Sequence, residues 1–139
     1  MHIDDDVYFD RFKNDYSFGK DKRITTKTNF KNTFSENNKF IGRFVVIWVQ
    51  KQSEGKIKLG VISSKKMHNK ANKRNFAKRR IREIFRRLSP YLKDNYNVII
   101  VTRKSLLTSS WRDVKKELID LLYKANVITV NNYKKIIDD

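Results

Sequence analysis

A dense run of basic side chains occupies the middle of the chain. Nine of the nineteen residues in 70–88 are lysine or arginine, and the only acid among them is Glu83. At about 100° per residue in a helix, the apolar residues of this run collect in one narrow stripe, which contains Ala77, Ile81, Ile84 and Leu88, with Phe85 at its edge. The cations spread over the other sides, where guanidinium groups about 5–6 Å apart can each meet a phosphate oxygen. The spacing therefore indicates a rigid cationic array suited to a polyanion.

Three other interpretations of this helix compete with an RNA-binding surface. A solvated charged face usually alternates signs, whereas this helix has one acid among nine bases. A membrane-surface helix needs a broad apolar face with large anchors, and this stripe is narrow and is required for the core. A DNA-reading helix enters the major groove and usually belongs to a dimer, but no dimer seam is evident. Asn75 adds a neutral donor and acceptor suited to a 2′-hydroxyl or a base edge.

Composition also favours a polyanionic partner. The chain has 139 residues, which suits one domain, and its 32 lysines and arginines against 15 acids give a net charge of +17. Solubility alone requires about 2–8 net charges, so the excess points to nucleic acid. There is no cysteine for disulfides or thiolate metal sites. No apolar run approaches the roughly 18 residues of a membrane span, and the N-terminus does not resemble a signal peptide, so we expect a cytoplasmic protein.

The sequence contains no pattern that indicates a protein-borne catalytic centre. No acidic cluster suited to two-metal phosphoryl chemistry occurs in the predicted folded part, and the aspartates at 4–6 are expected to be solvated. His2 and His68 have no obvious partner and are expected at the surface. No phosphate-binding loop, dinucleotide fingerprint or zinc-protease motif is present. We therefore expect no catalytic side chains and no metal ligands in the protein.

Local patterns predict the element order α–β–β–α–β–α after an N-terminal segment, residues 1–22. In that segment Phe9, Phe12 and Tyr16 could share one face of a short helix, and a partly ordered tail is the alternative. The predicted elements are a helix over 23–34, strands over 43–50 and 56–63, the basic helix ending before Pro90, a strand over 96–102 and a last helix starting near Ser110. The first two strands are expected to pair as an antiparallel hairpin. The order predicts an α+β protein with helices packed on one sheet.

The last helix carries two further signals. Ser110 and Asp113 resemble a capping box, with aspartate in place of the usual glutamate. An apolar face is formed by Val114, Leu118, Leu121, Leu122 and Ala125. The C-terminal tail after this helix carries no clear structural prediction.

The basic helix also resembles a known family signature. ANKRNFAKRRIREIF, residues 71–85, is similar to the RNR signature of bacterial ribonuclease P proteins, which runs approximately A-x-x-R-N-x-x-K-R-x-x-R-E-x-F. Eight positions match it: Ala71, Arg74, Asn75, Lys78, Arg79, Arg82, Glu83 and Phe85. The resemblance covers about residues 23–127 and includes an F-x-x-x-F pair, Phe30 and Phe34, and a first strand carrying Arg43 and Trp48.

The resemblance implies a particular fold. It is a single-domain α-β sandwich like domain 2 of ribosomal protein S5, with a left-handed βαβ crossover, although pattern alone would predict the common right-handed form. The expected division is an N-terminal extension over 1–22, a ribonuclease P protein-like RNA-binding domain over 23–127 and a C-terminal tail over 128–139. The connection over 66–70 is one residue longer than usual and lacks glycine, and Asn69 could supply a left-handed conformation there.

The resemblance also implies a function, namely the accessory protein subunit of ribonuclease P, an endonuclease whose catalyst is RNA. Such a subunit binds the catalytic RNA and the 5′ leader of precursor tRNA. The residues expected to contact the catalytic RNA are Lys65, Lys66, Arg74, Asn75, Lys78, Arg79, Arg82 and Arg86. The expected leader cleft contains Phe30, Phe34, Arg43 and Trp48, with core packing as the alternative for the three aromatic residues. Mg²⁺ would be held by the partner RNA, and a ribosomal or other structural RNA-binding protein is the alternative function.

Overall fold

One mixed sheet organises the part of the chain that the computed structural model describes, residues 7–8, 33–34 and 38–138. Its strands are β1 (Val7–Tyr8), β2 (Lys39–Ile41), β3 (Val45–Lys51), β4 (Lys58–Ile62) and β5 (Tyr96–Thr102), in the spatial order β1–β4–β5–β3–β2. The helices are α1 (Ala71–Leu88), α2 (Trp111–Lys124) and α3 (Val130–Asp138), with short 3-10 turns at Ser89–Tyr91 and Lys104–Thr108. The α+β class predicted from the sequence is confirmed.

The central strand β5 separates two strands that the sequence analysis paired with each other. It runs antiparallel to β3 and parallel to β4, so the predicted hairpin is wrong. The sequence YNVIIVT is apolar on both faces, and the centre of the sheet is where both faces of a strand can be buried. The connection from β3 to β4 crosses the end of β5, where Gln52 N–H donates to Asn95 C=O at 2.6 Å and Asn95 N–H donates to Gly55 C=O at 2.9 Å.

Helix α1 is the connection between the parallel strands β4 and β5 and forms the βαβ unit of the fold. Its predicted apolar stripe is confirmed, because every member is at most 2% exposed: Ala77, Ile81, Ile84, Phe85 and Leu88. The left-handedness of this crossover stays a prediction. Burial of the stripe fixes the rotation of the helix about its axis, and with it the direction in which each cation points.

Three elements were not predicted from the sequence. β2 lies between the predicted 23–34 helix and the predicted 43–50 strand, β1 falls in the N-terminal segment, and α3 forms in the tail. β1 and β2 are two and three residues long, too short for an alternating pattern to be recognised. The proposed short helix around Phe12 lies outside the described residues, and of the predicted 23–34 helix only Thr33 and Phe34 are described, both helical.

Helices α2 and α3 complete the layer on one side of the sheet. The Ser110 hydroxyl accepts a hydrogen bond from Asp113 N–H at 3.1 Å, which confirms the predicted cap of α2. The predicted apolar face of α2 is buried. On α3, the Tyr133 ring stacks on Tyr123 with centroids 4.3 Å apart, and its hydroxyl donates to Asp120 at 2.8 Å. The tail is therefore tied to α2.

The sheet has two chemically different faces. One packs against α1, α2 and α3 in the main core. The other carries a smaller cluster of Trp48, Ile62 and Ile99, against which Phe34 packs. Side chains alternate between the two faces along each strand, so Trp48 and Ile47 are neighbours in sequence but belong to different cores.

Candidate nucleic-acid interface

The outer side of α1 presents the cationic array that the sequence predicted. Asn75 and Arg79 are exposed near its middle, and Lys73 is exposed at its first turn. The first turn contains no acid, so the partial positive charge of the helix N-terminus adds to the field of the cations. An extended anion lying along this side would meet several donors on one rigid element.

Two predicted contact residues differ in their surroundings from the rest. Lys78 and Arg82 are 4% and 6% exposed, although the sequence analysis placed them on a wide open face. They follow Phe85 around the helix at about 100° per residue, on the flank beside the apolar stripe. Their contact with RNA stays a prediction, and in this structure both side chains are buried.

Glu83 organises the cations at the end of α1. It accepts hydrogen bonds from Arg86 Nε at 3.1 Å and Arg87 Nε at 2.9 Å. The hydrogen bond from Arg86 lowers the pKa of Glu83, desolvation opposes this effect, and Arg87 adds to the lowering. The carboxylate therefore stays charged and holds both guanidinium groups in a fixed arrangement.

Arg74 closes the unusual connection that precedes α1. Its Nη1 donates to the carbonyls of His68 at 3.0 Å and Asn69 at 2.9 Å. The possible left-handed conformation of Asn69 is wrong, since the non-glycine residues with positive φ are Asn95 and Asn126 in the part of the chain that is described. The connection begins with a turn at Ser64, whose carbonyl accepts from Met67 N–H at 3.0 Å.

The connection that precedes α1 also carries two lysines and a histidine. Lys65 and Lys66 are exposed in the turn, where their position beside the helix extends the cationic surface. His68 has a partner that the sequence did not indicate, because its Nδ1 accepts from Lys70 N–H at 3.0 Å. His2 lies outside the described residues.

Two of the four residues expected in the leader cleft, Phe34 and Trp48, lie together on the second face of the sheet. Phe34 meets Trp48 edge to face, with centroids 5.0 Å apart and planes at 83°, and Lys39 Nζ lies 5.2 Å from the Trp48 ring centroid. Trp48 is only 5% exposed, which supports the packing alternative for this residue. Phe34 is half-buried, and Phe30 lies outside the described residues.

A polar group borders the two aromatic residues. Gln50 Oε1 accepts from the Thr33 hydroxyl at 3.2 Å and from Asn97 Nδ2 at 3.4 Å. Gln50 and Asn97 are opposite each other on β3 and β5, one pleat from Trp48 and Ile99. Because Thr33 and Asn97 are buried, these hydrogen bonds hold the segment before Phe34 against the sheet.

Arg43 lies away from this aromatic cluster. Its Cζ is 5.4 Å from the ring of Phe44, and Phe44 belongs to the core that the helices cover. The turn is held by Glu117 of α2, whose carboxylate accepts from the backbone N–H groups of Arg43, Phe44 at 2.8 Å and Val45 at 3.1 Å. The sequence analysis missed Glu117, since a contact 72–74 residues away leaves no local signal.

Neither a metal cluster nor a membrane span was found in the residues that the structure covers. No group of three or more histidine, aspartate or glutamate side chains is arranged to hold an ion in this part of the chain. None of its helices is both long enough and apolar enough to cross a bilayer.

Comparison with known proteins gives a consistent result. The family model described as Ribonuclease P matches residues 18–126. The chain is 32% identical over 110 residues to the Ribonuclease P protein component of Oceanobacillus iheyensis, covering 78% of this chain and 90% of that protein. It is 30% identical over 109 residues to that of Limosilactobacillus fermentum, covering 78% and 95% of the two chains.

Solved structures share the fold. The RNase P protein from Thermotoga maritima superposes with a TM-score of 0.66 at 26% identity, covering 73% of this chain and 96% of that chain. The RNase P protein of Staphylococcus aureus superposes with a TM-score of 0.69 at 24% identity, covering 78% and 98%, and supports the fold alone. With the signature helix, the sheet order and these relatives in agreement, the chain belongs to the ribonuclease P protein family.

Proposed function

We propose that this chain is the accessory protein subunit of a ribonuclease P, binding the catalytic RNA on α1 and the 5′ leader of precursor tRNA on the second face of the sheet. The single observation that carries the proposal is the surplus of cations on a helix whose rotation is fixed by a buried stripe. Like charges repel one another on such a rod unless a polyanion lies against it.

The RNA contacts divide by exposure. Lys65, Lys66, Asn75 and Arg79 are exposed and would meet the RNA backbone directly. Arg74 and Arg86 are half-buried and already hydrogen-bonded to protein groups, so they would add donors from fixed positions. Lys78 and Arg82, being buried, would contribute mainly to the field unless they turn outward on binding.

The leader contact is proposed for the cluster around Phe34. Stacking on an aromatic side chain tolerates any base, which suits a subunit that must accept many leaders. The ring of Phe34 is partly exposed and packs on Trp48, which is buried. Lys39 adds an exposed charge next to the Trp48 ring. Arg43, in the turn that Glu117 holds, lies away from this cluster, so its contact with the leader is proposed on the family pattern alone. Phe30 completes the proposal on the basis of the family pattern.

The chemistry itself belongs to the partner RNA. We propose that Mg²⁺ is held by RNA phosphates and that the protein lowers the repulsion between two polyanions. Because neutralised phosphates release counterions, binding should weaken steeply with salt. The proposal places the protein in the cytoplasm, together with its RNA partners.

A binding experiment separates this function from its alternative. The protein is titrated with a bacterial ribonuclease P RNA, a 16S ribosomal RNA fragment of equal length and mature tRNA at several salt concentrations. We expect the tightest binding to ribonuclease P RNA at every salt concentration. Preferential binding to the ribosomal fragment would support a structural ribosomal role and contradict the proposal.

A further inference from the structure

A hollow beside α1 contains two aromatic residues that the expected RNA contacts do not include. It lies between α1 and the start of α2, has a volume of about 450 Å³, and is lined by Phe76, Arg79, Arg80, Glu83 and Trp111. Phe76 is 41% exposed, and Trp111 is half-buried. Small-ligand sites commonly have volumes of about 300–1,000 Å³, so the space is sufficient for one flat ring system.

Arginines hold both aromatic rings in place. Arg80 Cζ lies 5.6 Å from the ring centroid of Phe76, and the same guanidinium donates to Ser109 C=O at 3.0 Å. Arg87 Cζ lies 5.5 Å from the Trp111 ring, and its Nε is 2.9 Å from Glu83. Because each arginine has a second partner, the rings and the guanidinium groups form a fixed arrangement before any ligand arrives.

The composition of the hollow matches one class of partner. Three arginines and one glutamate line it or border it, so an apolar protein helix or an acyl chain would leave guanidinium groups poorly solvated. Aromatic faces next to arginine are the surface on which unstacked bases of single-stranded nucleic acid bind. Arg79 is exposed at the edge of the hollow and is free to meet the phosphate that accompanies such a base.

We propose that this hollow holds one unpaired nucleotide of the partner RNA, with its base in contact with both Phe76 and Trp111 and its phosphate on Arg79. The proposal rests on the proposed RNA-binding function and adds to it a site for a base that is not paired. Under this proposal, α1 contacts the RNA phosphates through its charges and also recognises a bulged or looped nucleotide.

A second hollow lies next to the first and indicates where the bound RNA would continue along α1. It has a volume of about 350 Å³, shares Phe76 and Arg79 with the first, and extends to Asn72, Lys73 and Leu107. Lys73 and Asn72 are exposed there and offer a cation and an amide to the sugar and phosphate of the adjoining nucleotide. Two neighbouring nucleotides would thus lie along α1.

The two tryptophans of the chain permit a direct test by fluorescence. Trp48→Phe leaves Trp111 as the only indole, and Trp111→Phe leaves Trp48, since the chain has two tryptophans. Each variant is titrated with ribonuclease P RNA without substrate, and binding is followed in parallel by filter retention. We expect strong quenching of Trp111 and a much smaller change for Trp48, which is 5% exposed. Unchanged Trp111 emission at saturating RNA would overturn the inference while the proposed function stands.

Affinity measurements provide the second readout. Phe76→Ala and Trp111→Ala should weaken RNA binding by about 5- to 150-fold, the range for loss of one stacked base, with an unchanged salt slope because no charge is removed. Ile137→Ala, which removes another exposed apolar side chain on α3, should bind as the unaltered protein does. Because Phe76 is exposed, its variant should keep the melting temperature even if the Trp111 variant does not.

The remaining outcomes also decide between explanations. Wild-type affinity of Phe76→Ala would overturn the inference, and the proposed function would survive if Arg79→Ala still weakened binding. Failure of every variant and of the unaltered protein to prefer ribonuclease P RNA would remove the proposed function. A Trp111 signal that depends on protein concentration without RNA, together with dimers in light scattering, would assign the hollow to a second copy of the chain and contradict the inference.

Discussion

Individual cations of α1 have different tasks although they look alike in the sequence. Arg74 and Arg80 donate to backbone carbonyls, and Arg86 and Arg87 are paired with Glu83. Arg79 is exposed between the two hollows. A helical wheel distinguishes the buried stripe from the rest, but it does not distinguish a cation that holds the fold from one that meets a ligand.

The exposed position of Arg79 leads to the first prediction. Arg79→Ala should weaken binding to ribonuclease P RNA, and the slope of log affinity against log salt should become shallower by about 0.7–0.9, the value for one phosphate contact. Filter binding at four salt concentrations measures both quantities. Lys134→Ala, which removes an exposed cation from α3, is the matched control, and an equal effect of both substitutions would mean that only net charge matters.

Glu83 leads to a prediction about pH. Its pKa is lowered in the folded protein, first by the hydrogen bond from Arg86, so the stabilisation that it provides is fully present above its ordinary value of about 4.3. That stabilisation is lost as the pH falls through the lowered folded-state pKa. The melting-temperature difference between the unaltered protein and Glu83→Gln should therefore be small but measurable at pH 7 and should disappear in acid. A difference that persists or grows in acid would contradict the pairing.

At the scale of elements, the helices and strands that were predicted correctly are those whose sequence pattern extends over several residues. The stripe of α1, the strand β5 and the cap and face of α2 were predicted correctly, because each is encoded by several residues at a fixed period. The partner of β3 was predicted wrongly, because pairing depends on which strand is buried on both faces and not on chain proximity. The cleft was predicted as a set, yet Trp48 is buried in the smaller core and Arg43 is exposed beside Phe44 of the main core, a separation that no local pattern reveals.

The contact between α2 and the turn before β3 leads to a third prediction. Glu117→Ala removes the acceptor of three backbone N–H groups and should lower the free energy of unfolding by about 1.5–3 kcal/mol, the contribution expected of hydrogen bonds to a charged group. Urea denaturation measures the change. Lys116→Ala, at the neighbouring exposed position, should have a much smaller effect.

Gly42 provides an independent check of that contact. A Cβ atom there would lie 2.5 Å from Glu117 Cδ, so Gly42→Ala should displace the carboxylate and destabilise the protein. In the Glu117→Ala background the same glycine substitution should cost less, because its clash is gone. Additive losses would show that the glycine is required for another reason.

At the scale of the whole molecule, the sheet separates the two surfaces that we propose contact different RNAs. The helices cover one face, and packing in this core fixes the orientation of α1. On the other face, Phe34 packs against Trp48. Phe34→Ala should therefore weaken binding of leader-bearing precursor tRNA by the assembled enzyme more than binding of mature tRNA. Equal losses for both substrates, together with a lower melting temperature, would show that Phe34 only packs.

The most direct measurement of the central claim is cleavage of precursor tRNA by a bacterial ribonuclease P RNA at low Mg²⁺, with and without this protein. We expect the protein to increase cleavage strongly at low Mg²⁺, and the increase to shrink as Mg²⁺ rises, because both reduce repulsion between the two RNAs. Arg79→Ala should give an intermediate rate. Equal cleavage with and without the protein at every Mg²⁺ concentration would contradict its role as the accessory subunit.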